Sequence, residues 1–222
     1  IDAVITGEKR LTAHEALRLY HEATLPELGR WASARAEQIH GDTYRSYVID
    51  RNINYTNVCS AKCTFCAFRR DGDEDDAYTL DQQQLHQKVQ ELVDIGGTQI
   101  LLQGGMNPAL SLEWYEAMLR GLKAAFPNVH VHGFSPPEFV EFVAVCELDG
   151  FPSVPAGQGH KIPRDRWQAK LETILQRLID AGLDSIPGGG GEIFAEHVRR
   201  RIGMGKSSAR DWLDVMSTGH KY

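Results

Sequence analysis

The stretch Cys59-Ser60-Ala61-Lys62-Cys63-Thr64-Phe65-Cys66 decides how the rest of the sequence is interpreted. Its three thiols, in a C-x3-C-x2-C spacing, follow residues 46–55, a segment rich in Tyr, Val and Ile that predicts a β-strand. Cysteines this close together rarely pair as disulfides, and a reducing cytosol keeps them as thiols. The spacing therefore predicts a metal centre at the carboxyl end of a strand.

Composition narrows the class of protein. The chain has 222 residues, of which 42% are hydrophobic, enough for one domain with a substantial core. Its formal net charge of −6 argues against a nucleic-acid partner, and the dense basic run 199–201 is as well explained by a solvated helix face as by an anion site. No apolar stretch approaches the roughly 20 residues that span a bilayer. We expect a cytoplasmic protein without a membrane or nucleic-acid partner.

The pattern of apolar residues predicts helices alternating with strands. Two helices, at 11–19 with Thr12 as N-cap and at 25–38, form an N-terminal extension over residues 1–45. The remaining elements, within residues 46–222, are helices 80–95, 112–126, 138–147, 166–181 and 192–215, the last broken near 203–206, with strands 98–102, 129–134 and 183–186. This alternation is typical of βαβ units around a parallel sheet, which place ligand chemistry at the carboxyl ends of the strands.

Some segments lie outside this alternation. The Gly/Pro-rich stretch 149–163 has no period and predicts a mobile insertion. The acidic run 71–76 does not match a calcium loop and is interpreted as a mobile, solvated loop. Four strands are fewer than a parallel barrel needs. We therefore expect further residues beyond Tyr222, or an inactive fragment, and a continuation before Ile1, which is not Met.

The number of thiols bears on the kind of metal centre. A closed zinc site needs four ligands, whereas three thiolates leave one coordination position open. Cys146 and His86 are the possible fourth ligands for zinc. Cys146 lies in an apolar helix, where a buried small hydrophobe is the simpler interpretation.

The cysteine stretch, with Phe65 just before the last cysteine, resembles the cluster loop of radical S-adenosylmethionine (SAM) enzymes. The resemblance implies a partial (β/α)6 TIM-like barrel, in which Cys59, Cys63 and Cys66 hold a [4Fe–4S] cluster whose fourth iron binds SAM. It places Phe65 beside the cofactor. It also implies an electron donor such as flavodoxin or ferredoxin.

Four further segments, at 52–59, 96–105, 130–138 and 182–190, are similar to one branch of this superfamily, the cyclic dehypoxanthine futalosine synthases of menaquinone biosynthesis. This similarity implies a cyclase acting on a small nucleoside-type substrate. The alternatives are an aminofutalosine synthase, a deazaflavin (FO) synthase subunit or, outside the enzymes, a structural metal-binding protein.

Residues at the ends of the second and third strands are candidates for cofactor binding. Gln103-Gly104-Gly105 ends a strand without side chains at two positions, so the backbone can approach a ligand closely, although a plain tight turn is the simpler alternative. Ser135 and Glu138 border the SAM pocket by resemblance. Ser135 is also a natural N-cap for the helix that follows Pro136-Pro137.

The catalytic candidates are His130, His132 and Glu192. The two histidines alternate along one strand, so both point to one face and are candidates for substrate contact or proton transfer. Glu192 follows a glycine-rich turn at 187–191, and the resemblance places it near the adenosyl ribose or the substrate. An acid/base pair of Asp184 with Glu192 gains no support from spacing. The same holds for cations facing a substrate carboxylate, namely Lys206, Lys221, Arg69 and Arg70.

Overall fold

The computed structural model describes residues 1–41 and 44–222. They form two compact units, Ile1–Tyr47 and Val48–Tyr222. Within these described residues, no helix combines the length and the apolar character needed to cross a membrane. The division of the chain into domains at 45/46 stays a prediction.

The first unit consists of helices α1 (Asp2–Thr6), α2 (Ala13–Glu22) and α3 (Leu25–His40). At the start of α2 the Glu15 amide donates to the Thr12 hydroxyl at 3.2 Å, and the Thr12 amide donates to the Glu15 carboxylate at 3.0 Å. This reciprocal capping satisfies two amides that the helix itself leaves unpaired. The three helices contain no buried residue, and α3 contacts α1 through Arg35, which donates to the Ile5 carbonyl at 3.1 Å.

The second unit contains the sheet and the remaining helices. Its elements in chain order are β1 (Asp50–Asn54), β2 (Lys62–Cys63), α4 (Gln82–Asp94), β3 (Gln99–Gln103), α5 (Leu112–Ala125), β4 (His130–Gly133), α6 (Pro136–Val145), α7 (Arg164–Ala181), α8 (Glu196–Ile202), β5 (Gly203–Met204) and α9 (Ala209–Gly219). Strands β1, β3 and β4 form a parallel sheet in the order β1-β3-β4. The predicted α/β class is confirmed.

The two faces of the parallel sheet have different roles. On one face, Ile53, Leu102 and Val131 are almost fully buried in the core that α4 to α7 complete. Because side chains alternate along a strand, the other face carries the residues between them. We call it the cavity face. The paired register places its residues in rows across the strands: Asp50, Gln99 and His130 in one, Asn52, Leu101 and His132 in the next, and Asn54 with Gln103 in a third.

The strand predicted at 183–186 is reduced to a single parallel bridge between Ser185 and His132. The Asp184 carboxylate accepts a hydrogen bond from the Val131 amide at 2.7 Å. This amide is therefore not available for backbone pairing between β4 and a longer neighbouring strand. Pro187 follows and has no amide to donate. The first predicted strand is also shorter, because the regular pairing begins only at Asp50.

The break predicted near residues 203–206 in the last helical region contains a short strand, β5, between α8 and α9. This strand pairs antiparallel with β2 in the cysteine stretch, placing Cys63 opposite Gly203. Thr64 extends this pairing by donating its amide to the Ile202 carbonyl at 2.9 Å. A segment far along the sequence, at Ile202 and Gly203, therefore supports the predicted metal loop.

The two irregular segments are held by specific contacts. In the acidic run, Asp76 accepts a hydrogen bond from Arg70 at 2.6 Å, and Asp71 pairs with Arg69. In the insertion, the fully buried Lys170 donates to the Pro152 carbonyl at 2.9 Å. The predicted mobility of both segments stays a prediction.

Candidate active site

A cavity of about 300 Å³ lies at the carboxyl ends of β1, β3 and β4. The thiols of Cys59, Cys63 and Cys66 all line it, and so do Asn52 and Asn54 on the cavity face. This is the edge of a parallel α/β sheet where ligands generally bind, because the connecting loops converge there.

The turn after β3 joins the cysteine stretch through its backbone. The Gly105 amide donates to the Thr56 carbonyl at 2.9 Å, and the Ser60 amide donates to the Met106 carbonyl at 2.8 Å. In the reverse direction, the Met106 amide donates to the Cys59 sulfur at 3.3 Å. Amide hydrogen bonds to sulfur are typical of iron–sulfur sites, where they help to set the reduction potential.

The two glycines of this turn are required by protein packing. A Cβ on Gly105 would lie 2.0 Å from the Val58 carbonyl oxygen, and one on Gly104 would lie 2.5 Å from the Tyr55 ring. Such contacts cannot be relieved without moving the cysteine stretch or the ring. The glycines thus allow the turn to approach the thiols, in addition to any contact with a ligand.

Glu138 is the buried acid of the cavity, with 1% of its surface exposed. One carboxylate oxygen accepts the Tyr55 hydroxyl at 2.6 Å and the Gly104 amide at 3.1 Å. The other accepts the Ser135 amide at 2.7 Å and hydroxyl at 2.6 Å. Burial raises the pKa of Glu138 from 4.5 to about 7, while these hydrogen bonds act in the opposite direction.

The glycine-rich segment at residues 187–191, which we call the glycine loop, borders the cavity next to the end of β4. A Cβ on Gly189 would lie 2.6 Å from the Gln103 amide nitrogen, and a Cβ on Gly190 would lie 2.3 Å from the Pro137 ring. Both glycines line the cavity. The buried Arg199 holds the loop from behind by donating to the Gly190 carbonyl at 2.9 Å and to the Gly191 carbonyl at 2.7 Å.

Lys206 is a cation of the cavity wall whose place the sequence did not indicate. Its ammonium group is 2.7 Å from the Glu192 carboxylate and 5.5 Å from the centre of the Phe65 ring. Burial raises the pKa of the Cys63 thiol, and the Lys206 charge acts against that rise. The position of Lys206 follows from the pairing of β5 with β2, which no local pattern reveals.

The structure brings most of the predicted cofactor residues together. Beside the three cysteines, the cavity is lined by Gln103, Gly104, Gly105, Ser135 and Glu138. Phe65 and Glu192 are not among the residues that line it; Phe65 is 54% exposed, and Glu192, with a φ of 35°, forms an ion pair with Lys206. His130 and His132 lie on the cavity face; His132 is one row away from Gln103, and His130 is one row further, toward the amino ends of the strands. The roles of all these residues stay predictions.

The alternative zinc ligands lie elsewhere. Cys146 belongs to the hydrophobic core, where burial raises the pKa of its thiol to about 11. The His86 ring lies 2.8 Å from the Gln82 amide nitrogen and 3.2 Å from the Gly121 carbonyl oxygen, between α4 and α5. Over residues 1–41 and 44–222, no group of three or more His, Cys, Asp or Glu side chains is arranged to hold a single metal ion.

The donor set around the cavity fits an iron–sulfur cluster. Cys59, Cys63 and Cys66 all line the cavity, and the Cys59 sulfur accepts an amide hydrogen bond. Burial raises the pKa of the Cys59 thiol, so a thiolate there needs a cationic centre to stabilise it. Cys59, Cys63 and Cys66 are the residues that would hold such a cluster.

Comparison with known families agrees with this geometry. The model of the radical SAM superfamily matches residues 53–222, and the chain belongs to this superfamily. Its enzymes use a [4Fe–4S] cluster and SAM. Among solved structures, methylornithine synthase superposes with a TM-score of 0.59 at 16% sequence identity, over 99% of this chain and 55% of that one. The predicted partial barrel of the radical SAM type is confirmed.

Several curated proteins are more similar in sequence. A cyclic dehypoxanthine futalosine synthase from Halalkalibacterium halodurans is 35% identical over 100% of this chain and 54% of its own length. A 5-amino-6-(D-ribitylamino)uracil–L-tyrosine 4-hydroxyphenyl transferase from Methanopyrus kandleri is 35% identical over 96% of this chain and 48% of its own length. The transferase from Microcystis aeruginosa is 37% identical, over 95% and 52%. The chain spans about half the length of these relatives.

These relatives correct one prediction. Seven proteins that are 35–38% identical to this chain, over 79–98% of its residues, carry the transferase name. This finding overturns the prediction of a dehypoxanthine futalosine cyclase, and with it the assignment to menaquinone biosynthesis. Both groups of enzymes are similar to this chain at nearly the same identity, 35% for the cyclase and 35–38% for the transferases.

Proposed function

We propose that this chain is the radical SAM part of a 4-hydroxyphenyl transferase, an enzyme that joins the 4-hydroxyphenyl group of L-tyrosine to 5-amino-6-(D-ribitylamino)uracil. This corresponds to the deazaflavin (FO) synthase subunit among the alternatives. Two small polar substrates, an electron donor and a cytoplasmic location belong to the proposal. The cavity at which three cysteines, the Gln103–Gly105 turn and Glu138 meet supports radical SAM chemistry, and the observation that carries the choice of reaction is the similarity to seven proteins with the transferase name.

The residues of the chain have separate tasks in this proposal. When bound, the cluster and SAM supply hydrogen-atom abstraction driven by one-electron reduction. Cys59, Cys63 and Cys66 hold the cluster, and the Met106 amide orients the Cys59 sulfur. The Gly104 and Gly105 backbone keeps the turn close to the thiols, which fixes where a cofactor is placed relative to a substrate.

Polar side chains of the cavity face orient the substrate. Asn52, Asn54 and Gln103 line the cavity and offer amide donors and acceptors without charge. Such groups suit a uracil ring and hydroxyl groups, which are hydrogen-bonded at both donor and acceptor positions. The ion pair of Lys206 with Glu192 leaves the Lys206 ammonium group at the cavity wall, where it can attract an anionic group.

The test is anaerobic turnover by the full-length protein after reconstitution with iron and sulfide. With SAM, a reductant, L-tyrosine and 5-amino-6-(D-ribitylamino)uracil, mass spectrometry should detect 5′-deoxyadenosine and a product that carries the 4-hydroxyphenyl group. Omission of either substrate should abolish the product. Cleavage of SAM without any transfer, or product formation from dehypoxanthine futalosine instead, would refute the proposal.

A further inference from the structure

Two histidines and a serine form a hydrogen-bonded cluster on the cavity face, outside the residues that line the cofactor cavity. The Ser185 hydroxyl lies 2.7 Å from His130 Nε2 and 2.6 Å from His132 Nδ1. The parallel bridge between Ser185 and His132 fixes the serine beside β4. We call these three residues the His–Ser–His cluster.

The number of protons in this cluster restricts its states. A serine hydroxyl has one proton, so it donates to one imidazole and accepts a hydrogen bond from the other. If Ser185 donates to His132 Nδ1, the His132 Nε2 atom carries a proton, and His130 must donate through Nε2 and keep Nδ1 bare. If Ser185 donates to His130, both assignments reverse. In either state the cluster presents one donor and one acceptor at its two outer nitrogens.

The outer nitrogens, His130 Nδ1 and His132 Nε2, are available to bind a ligand. Within the part of the chain that the structure describes, neither imidazole makes a further hydrogen bond. The two ring centres are 6.4 Å apart. Burial, followed by the electrostatic effect of His130, lowers the pKa of His132, which favours the neutral form of the His132 ring.

The register connects the cluster with the cofactor cavity. His132 lies in the same row as Asn52, which lines that cavity, and His130 lies in the next row with Asp50 and Gln99. The cluster therefore lies on the same face as the cavity, on the side toward the amino ends of the strands. A substrate held at the cavity and extended along this face reaches the two imidazoles.

We propose that the His–Ser–His cluster binds the polyhydroxylated chain of the substrate, which is the ribityl chain if the proposed transferase function holds. Each hydroxyl group both donates and accepts, so neighbouring hydroxyls satisfy the cluster in either of its two states. A phenol has a single hydroxyl and cannot reach two nitrogens on rings 6.4 Å apart. A uracil edge has its donors and acceptors fixed, so it matches only one of the states.

The test measures binding to the full-length reconstituted protein with SAM and without L-tyrosine, under anaerobic calorimetry. The probes are 5-amino-6-(D-ribitylamino)uracil and 5-amino-6-(methylamino)uracil, which lacks the hydroxyl chain. Wild type should prefer the ribityl compound. Ser185→Ala and His132→Gln should each reduce this preference by about tenfold, the effect of one lost hydrogen bond. The methylamino compound should bind all variants equally.

His160→Gln is the matched control, because His160 is an exposed histidine outside the strands, and it should keep the wild-type preference. An unchanged preference in Ser185→Ala and His132→Gln would overturn the inference, and so would a variant that loses both compounds equally, or a wild type that binds them equally well. If the preference depends on the cluster but no transfer product forms, the proposed function fails while the inference stands. If transfer occurs and the preference does not depend on the cluster, only the inference fails.

Discussion

Glu138 shows how one side chain links the fold to the cofactor cavity. Its four hydrogen-bond donors come from the ends of β1, β3 and β4, through Tyr55, Gly104 and Ser135. Burial of a carboxylate costs free energy unless the carboxylate accepts hydrogen bonds, and the two Glu138 oxygens accept four of them. The position of the cavity wall thus depends on a single acid.

The raised pKa of Glu138 predicts a specific dependence of stability on pH. A carboxyl group whose pKa is raised from 4.5 to about 7 by folding stabilises the folded state below pH 4.5 and loses that contribution as the pH rises through 7. Urea unfolding of iron-free wild type and Glu138→Gln should therefore show a difference in unfolding free energy that falls by about 3 kcal/mol over this range. A difference that stays constant with pH would contradict the assignment.

The cysteines allow a prediction with an internal control. Cys63 lines the cavity, whereas Cys146 is 2% exposed in the hydrophobic core. After anaerobic reconstitution, Cys63→Ala should lose most of its bound iron and the brown absorbance of the cluster. Cys146→Ala should keep both. Equal iron contents in the two variants would show that the cavity cysteines do not hold the cluster.

At the residue scale, the sequence predicted those site residues that belong to short local motifs. The cysteine spacing, Gly104-Gly105 and the Ser135-to-Glu138 segment all meet at the cavity. Tyr55 was missed, and Lys206 was named without support, because their contacts with Glu138 and Glu192 bridge residues that lie 83 and 14 positions away in the chain. Ser185 was missed for the same reason, since its partner His130 lies 55 positions earlier.

At the scale of elements, α8 and the glycine loop depend on Arg199. This side chain is 4% exposed and donates to carbonyl groups on both sides of α8, including those of Gly190 and Ser207. Its guanidinium group presents five donors in a fixed geometry, so this one side chain can donate hydrogen bonds to several carbonyl groups of the loop.

Removal of this guanidinium group should therefore destabilise the loop. We expect Arg199→Ala to lower the unfolding free energy by about 3 kcal/mol or more, because buried carbonyl groups lose their donors. Arg200→Ala, a neighbour whose side chain is 78% exposed, should change it by less than about 0.5 kcal/mol. Chemical denaturation measures both values, and similar losses would show that Arg199 has no special role.

The helices were more predictable than the strands. Helix α5 begins at Leu112 as its apolar period predicts, because Ser111 caps it and the period extends over several turns. The segment 183–186 resembles a strand in composition, but pairing depends on the Asp184 side chain and on Pro187. The short strands β2 and β5 have two residues each and form only because each meets the other.

At the scale of the whole molecule, the second unit has one core shared by the sheet and its helices. Leu102 is fully buried at its centre, whereas Leu17 on α2 is 57% exposed. Leu102→Ala should lower the unfolding free energy by about 2–5 kcal/mol, and Leu17→Ala should have little effect.

Hydrogen exchange tests whether this core is cooperative. Helices α5 and α7 both pack into the cluster that contains Leu102, so both should lose amide protection together in the Leu102→Ala variant. A loss confined to β3 and its neighbouring turns would instead indicate that the core consists of independent parts.

The anchoring of three strand ends on Glu138 also makes the cavity sensitive to the register of the strands. A slip of one residue in a parallel strand turns every side chain to the opposite face, and Tyr55 and the end of β4 would then no longer meet the acid. A chain with a wrong register would lack the wall against which the cysteine stretch is packed. The hydrogen bonds of Glu138 therefore form together only when all three strands are correctly aligned, so this one acid makes the shape of the cavity wall depend on the register of the whole sheet.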